Sequence, residues 1–257
     1  MSTLPPVRPY RIYPAYCFRA SPTYDAWVKL TAADVQALCR QPEFPEQHLY
    51  FHLNHPIRYV RLVGVVVAID DINLKYTVLT IDDGSGSNIE LKIVREQSAE
   101  RNALSSSSRT TLENVNVISQ LGVFEVMVDS QSLEIGTVVK AKGTISEFRG
   151  IKQLDLKRIW VVTTTDEEAQ AWAETAAYKR EILSKPWHLT TTEHRQIKAK
   201  MKSDKTKLQE YEKRKAEHEA KKLEQRQARE VYLAQREKRL EMRRRKEEVM
   251  MNAGALF

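Results

Sequence analysis

Apolar and polar positions alternate in two blocks of this chain and lose that order in a third. The first block covers Arg58 to Val94. Arg58–Ile69 is rich in Val and Ile with Gly64 at its centre, and Lys75–Ile81 and Ile89–Val94 alternate. In the second of these runs Thr77, Leu79 and Ile81 share a face, against Tyr76, Val78 and Thr80. In the third, Ile89, Leu91 and Ile93 oppose Glu90, Lys92 and Val94. The period of two is that of a strand with one face buried. Asp70–Asn73 and Asp82–Asn88 (DDGSGSN) are the expected turns.

The second block covers Gly136 to Val162. Gly136–Ile145 places Val139, Ala141 and Ile145 on one face and Val138, Lys140, Lys142 and Thr144 on the other. Ser146–Gly150 predicts a hairpin turn. Ile151–Val162 returns with Leu154 and Leu156 inward and Lys152 outward. Between the blocks lies Arg95–Leu133, expected as an irregular insertion with a mobile loop at Ser105–Ser108. An antiparallel sandwich could also supply five alternating strands. The three-plus-two spacing and the in-strand Gly64 and Gly143, which suit strands bending round a barrel, favour a mainly β chain built on a single OB-fold five-stranded barrel.

Two helical segments follow. Asp166–Leu183 opens with acidic residues and approaches its end with Lys179 and Arg180, as a helix dipole prefers. Ala169, Trp172, Ala173, Ala176 and Leu183 fall along one side. Small residues permit close approach and a Trp supplies an anchor, so this stripe either packs on its own barrel or binds a partner. Ser203–Val249 contains no Pro or Gly and is dense in Glu, Lys, Arg, Gln and Ala, which predicts a long charged C-terminal helix. Leu208, Tyr211, Leu223, Leu233 and Leu240 hold no heptad seam, so a lone helix is favoured over a coiled coil. The organisation expected is an N-terminal extension over 1–40 packing on the barrel, the barrel over 41–163, a partner-binding helix and linker over 164–190, and a basic tail over 191–257.

Charge sharpens this division. From Arg195 to Glu248 there are 20 Lys and Arg against 11 Asp and Glu, an excess of nine, while the 257-residue chain carries +7 in all. The basicity belongs to the tail, and the rest is slightly acidic. Arg243, Arg244, Arg245 and Lys246 form a candidate nuclear-import or phosphate-binding cluster, or a solvated helix end. No apolar run is long enough for a membrane span, and the Pro-rich start lacks the apolar core of a secretory signal. Cys17 and Cys39 make neither a disulfide framework nor a metal motif and are expected as buried small hydrophobes. Asp82 and Asp83 sit in a turn, where Asp bends the chain. His48, His52 and His55 lack the ligand spacing of a zinc site, and no glycine-rich phosphate cradle occurs. Nothing here points to an enzyme or a cofactor.

The residues Tyr13–Val35 (YPAYCFRASPTYDAWVKLTAADV), Asn54–Asp70 (NHPIRYVRLVGVVVAID), Tyr76–Gly86 (YTVLTIDDGSG), Gly136–Leu154 (GTVVKAKGTISEFRGIKQL) and Lys185–Trp187 (KPW) resemble the fungal Stn family. That family supplies the middle subunit of the CST telomere-capping complex and is similar to the middle subunit of replication protein A. The resemblance implies a small single-OB partner, the Ten subunit, bound through barrel and C-terminal helix. It also implies a larger telomeric single-strand-binding subunit, single-stranded telomeric DNA, and in some lineages DNA polymerase alpha–primase. The implied location is the nucleus, at chromosome ends. Many members carry C-terminal winged-helix modules, whereas Ser203–Phe257 reads as one charged helix.

OB proteins stack bases on aromatics and track phosphates with cations. The outward or loop-tip candidates are Tyr76, Lys92, Lys140, Lys142, Phe148, Arg149 and Lys152. Similar proteins place an aromatic in the last hairpin, where Phe148 stands. Relatives often have an aromatic late in the third strand, where this chain has Val94. That absence favours an alternative, a replication protein A-like interaction subunit whose barrel contacts only protein. A weaker alternative is an RNA-binding factor.

Overall fold

The computed structural model describes residues 10–45, 48–72, 75–96, 107–120 and 123–254. The chain divides after Thr190 into two compact units. The first is mainly β. Its first described element is the 3-10 helix Ala15–Ala20, followed by β1 (Trp27–Lys29), α1 (Ala32–Ala37), and the short hairpin of β2 (Tyr50–His52) and β3 (His55–Ile57). The strands β4 (Tyr59–Ile72), β5 (Tyr76–Asp82) and β6 (Asn88–Val94) follow. Next come β7 (Ser107–Arg109), β8 (Val115–Gln120), β9 (Val123–Val128) and β10 (Gln131–Ser132). The long hairpin of β11 (Val138–Phe148) and β12 (Ile151–Val161) leads into α2 (Thr165–Tyr178).

Hydrogen bonding passes from β4 antiparallel to β5, then to β6, parallel to β12, and antiparallel through β11 back to β4. The two halves of β4 serve different neighbours: Tyr59–Val65 pairs with β11, Val65–Ile72 with β5. Gly64 lies at the changeover. A Cβ there would stand 2.6 Å from the Asp82 carbonyl oxygen, and one at Gly143 would stand 2.7 Å from that of Asp155, so both in-strand glycines permit close backbone approach. β1 adds to β4 in parallel.

The inward faces are those the alternation assigned. Leu79, Ile81, Ile89, Leu91, Ile93, Val139, Ala141 and Leu154 form one buried cluster. Each Val, Leu or Ile among them contributes about 1.5–3 kcal/mol on burial, and Ala141 less. Buried Arg95 crosses between elements, donating to Thr77 Oγ1 at 2.8 Å and Asp71 Oδ1 at 2.6 Å, beside the ring of Phe124.

Several expectations are corrected. The Arg95–Leu133 insertion is not irregular: β7–β10 form a four-stranded antiparallel sheet, and Val115, Val117, Val126 and Val128 join the main core. Their period-two spacing is in the sequence but was masked by the polar residues between them. Ser107 and Ser108 lie in β7; Ser105 and Ser106 are outside the described residues. Asp70–Ile72 continues β4 instead of turning, because its backbone pairs with Tyr76–Val78. The last hairpin turns at Arg149 and Gly150 alone, both at positive φ, while Ser146–Phe148 remains strand. Cys17 is buried but Cys39 is exposed.

Tertiary contacts also stabilise short elements. The six-residue α1 has a Thr31–Asp34 capping box, and its next two amides donate to Asp83 Oδ2 at 2.7 Å and Ser85 Oγ at 3.0 Å. The DDGSG turn therefore supplies acceptors for donors that a helix leaves unpaired. The Lys185–Trp187 segment is tied to the β2–β3 turn. The Asn54 side chain donates to Trp187 O at 2.7 Å and accepts from Trp187 N at 2.7 Å. His55 Nε2–H donates to Lys185 O at 2.8 Å, and burial pushes the His55 pKa below its ordinary value.

The second unit is α3 (Thr191–Gly254), 64 residues and nearly all exposed. At 1.5 Å per residue it is about 96 Å long. It extends beyond the expected Ser203–Val249 at both ends.

Candidate nucleic-acid and partner surfaces

The aromatic and cationic positions form three separate groups. Tyr76 and Lys92 meet on neighbouring strands, with the Lys92 ammonium 5.7 Å from the Tyr76 ring centroid. Lys92 is also paired with Asp155 at 2.5 Å. The hairpin tip forms the second group. Phe148 is 57% exposed and the Arg149 guanidinium lies 5.1 Å from its ring centroid. Phe148 closes the last strand pair, with Ile151, and Arg149 stands in the two-residue turn beyond it.

Lys152 belongs to neither group as a free cation. It shares strand parity with Leu154, not the outward face expected, and its ammonium donates to Gln36 O at 2.7 Å. Its backbone N–H and C=O also engage the Gln36 side chain. The residue fastens α1 to β12.

Lys140 and Lys142 lie on the outer face of β11, beside α2. Lys140 is ion-paired with Glu167 at 2.7 Å. Lys142 has no hydrogen bond or ion pair with any described residue. Its ammonium lies 5.6 Å from the Trp27 ring and 5.2 Å from that of Trp160. Burial, then the charges of Arg61, Arg158 and Lys140, pushes its pKa down. Trp27, Tyr59, Arg158 and Trp160 were not anticipated. The alternation of Arg158 and Trp160 was a usable signal; the convergence of Trp27 and Tyr59 was not.

The helix α2 shows two unlike sides. Thr164 caps it by accepting from Glu167 N at 3.3 Å. Ala171 packs with Val63 and Val162, and Arg61 reaches under the helix. Arg61 donates to Glu174 at 2.6 Å, Ala171 O at 3.0 Å and Thr175 Oγ1 at 3.1 Å. Hydrogen bonds from Lys29 and from Arg61 hold the Glu174 carboxyl below the usual range, against the effect of burial. On the other side Ala169, Ala173 and Ala176 are exposed, and Trp172 is 52% exposed. A groove of about 320 Å³ lies between Trp172 and Ala176 and the segments around Leu30, Val63 and Asp83–Ser85.

Leu183 departs from this stripe and is corrected. It is 1% exposed and belongs to the main core. The reason is helical phase: Lys179–Leu183 forms a wider π turn, which rotates Leu183 away from the line of Trp172 and Ala176. Arg243, Arg244, Arg245 and Lys246 are all exposed on α3, with Arg245 paired to Glu241 at 3.3 Å.

The chain is similar to known proteins at low identity. The chain is 24% identical over 169 residues to protein stn1 of Schizosaccharomyces pombe, covering 65% of this chain and 44% of that one. It is 22% identical over 178 residues to CST complex subunit STN1 of Bos taurus, covering 68% and 47%. The chain thus matches less than half the length of these relatives. A solved structure of yeast Stn1 and Ten1 aligns at TM-score 0.51 with 18% identity, covering 74% of this chain and 91% of that one, a likeness of fold. The family model described as telomere regulation protein Stn1 matches residues 44–252, and the chain belongs to that family.

Proposed function

We propose that this chain is a non-catalytic CST scaffold subunit that pairs with a small OB-fold partner of the Ten class and binds single-stranded DNA at chromosome ends. The ring of β4, β5, β6, β12 and β11 is read as an OB-fold barrel, since its order and its single parallel pairing follow that pattern. Residues 1–40 serve as an extension on that barrel, 41–163 as the barrel, 164–190 as the partner helix and linker, and 191–257 as a basic helical tail. The larger telomeric single-strand-binding subunit, and DNA polymerase alpha–primase, are further partners on this reading. The location is the nucleus, with Arg243–Lys246 as the import candidate.

The observation that carries the partner assignment is the asymmetry of α2. One side is fixed by Arg61 and the Val63 cluster, while Trp172 and three alanines remain uncovered beside a groove. A family relative has been solved together with Ten1. Trp172→Ala in the full chain should weaken binding of the small partner about thirtyfold, the equivalent of about 2 kcal/mol. The thermal melt of the chain alone should be unchanged. Normal partner affinity in a folded variant would remove the assignment.

DNA binding by the barrel is placed at Phe148, Arg149, Tyr76 and Lys92. Phe148→Ala should cost about 1–3 kcal/mol in single-strand affinity if the ring stacks. A purely protein-binding barrel is the second reading, and one feature favours it: Lys92, Lys140 and Lys152 are engaged by Asp155, Glu167 and Gln36. Titration of the full chain with a single-stranded oligonucleotide, with and without the small partner, separates the two.

A further inference from the structure

Three strands and one extension bring an aromatic and cationic stripe together on the outer face beside α2. Trp27 and Tyr59 are register partners on β1 and β4, with ring centroids 5.1 Å apart at 54°. Arg58 is exposed, its guanidinium 4.9 Å from the Tyr59 ring centroid. Lys142 on β11 lies between Trp27 and Trp160, and its strand partner on β12 is exposed Arg158. All three rings are partly exposed.

The charges on this face divide into two kinds. Toward α2, Lys29 and Arg61 are matched by Glu174, and Lys140 by Glu167. Past the edge of α2, Lys142, Lys157 and Arg158 make no hydrogen bond or ion pair with a described residue. A groove of about 510 Å³ adjoins them, lined by Lys157, Arg158 and Trp160 on one side and Asn114, Glu113 and Asp129 on the other. An apolar helix would leave these cations desolvated without partners. Single-stranded nucleic acid satisfies both parts of the stripe, because each base has a stacking face and each linkage a negative phosphate. The carboxylates across the groove would repel phosphates, which keeps the backbone on the Lys142–Arg158 side.

We propose that this outer face is a second single-stranded nucleic-acid surface, with Trp27, Tyr59 and Trp160 stacking on bases and Lys142, Arg58 and Arg158 contacting phosphates. It rests on the reading of the chain as a DNA-binding subunit and gives it a surface separate from the Phe148 hairpin. A strand lying here would run beside α2 and could be held while the small partner occupies the Trp172 side.

The test is fluorescence anisotropy of a labelled single-stranded oligonucleotide with the full chain over a range of salt. Trp160→Ala and Trp27→Ala should each weaken binding about tenfold, while Trp160→Phe, which keeps a stacking face, should stay within about threefold of wild type. Lys142→Gln should lower the slope of log affinity against log salt by about 0.7, the share of one phosphate contact on a single strand. Melting curves establish that each variant is folded. If Trp160→Ala does not fold, the Lys142→Gln slope decides. Wild-type affinity and slope in the stripe variants, with binding lost in Phe148→Ala, overturns the second surface and leaves the DNA reading standing. No binding by the wild-type chain overturns both. Loss of the small protein partner with unchanged DNA affinity makes the stripe a protein contact and overturns the proposal.

Discussion

Arg61 and Lys142 face each other across neighbouring strands on the same outer surface, yet their surroundings differ in kind. The Arg61 side chain is 8% exposed and donates to a carboxylate, a carbonyl and a hydroxyl of α2. Among the described residues, Lys142 meets only indole faces and like charges. The boundary between them is the edge of the helix. A cation under α2 is part of the architecture, while one beside it remains able to meet an anion. Residue type and strand parity would have treated both alike.

The largest effect that can break this comparison is at Leu183, which anchors the end of the α2 segment in the core. Leu183→Ala should cost about 2–5 kcal/mol, as a cavity in a close-packed interior does. Chemical denaturation measures it; a loss below about 1 kcal/mol would mean the segment is held elsewhere. Arg61→Ala should come next, at about 2–3 kcal/mol, because a charge-assisted bond is lost and Glu174 is left without its shortest partner. That variant should also release α2, so amide exchange along Thr165–Tyr178 should rise while that of β5 and β6 does not. A uniform rise would dissolve the distinction between helix anchor and core.

Smaller effects sharpen the same contrast. His55 is another polar group fixed by architecture: its Nδ1 is buried without a partner, so protonation would add an unmatched N–H. With its folded pKa depressed, the unfolded chain takes up the proton first as pH falls. Stability should therefore be complete above the ordinary histidine value of about 6.5 and decline below it. Melting temperature against pH, compared between wild type and His55→Gln, should show the slope between about pH 7 and 5 flatten in the variant. Lys142→Gln should be the mildest of all, within about 0.5 kcal/mol in a denaturant titration. A weak cation–π contact is lost while repulsion from neighbouring cations is relieved. A large destabilisation would show that Lys142 belongs with Arg61 after all.

The sequence by itself determined which apolar residues face inward on four strands, because side chains alternate with period two whatever the neighbours are. It also determined the in-strand glycines, the acidic start of α2 and the helicity of the long C-terminal segment, all of which rest on local backbone preference. The valine alternation of β8 and β9 was equally present but stood inside a polar insertion. Only the tertiary structure decided that Asp83 and Ser85 accept from α1, that a wide turn carries Leu183 inward, and that Lys140, Lys92 and Lys152 have partners. It alone gathered Trp27, Tyr59, Lys142 and Trp160 on one surface. Local pattern fixes the face of a strand, but the neighbours of that face are set by how distant strands close upon each other and where α2 comes to lie.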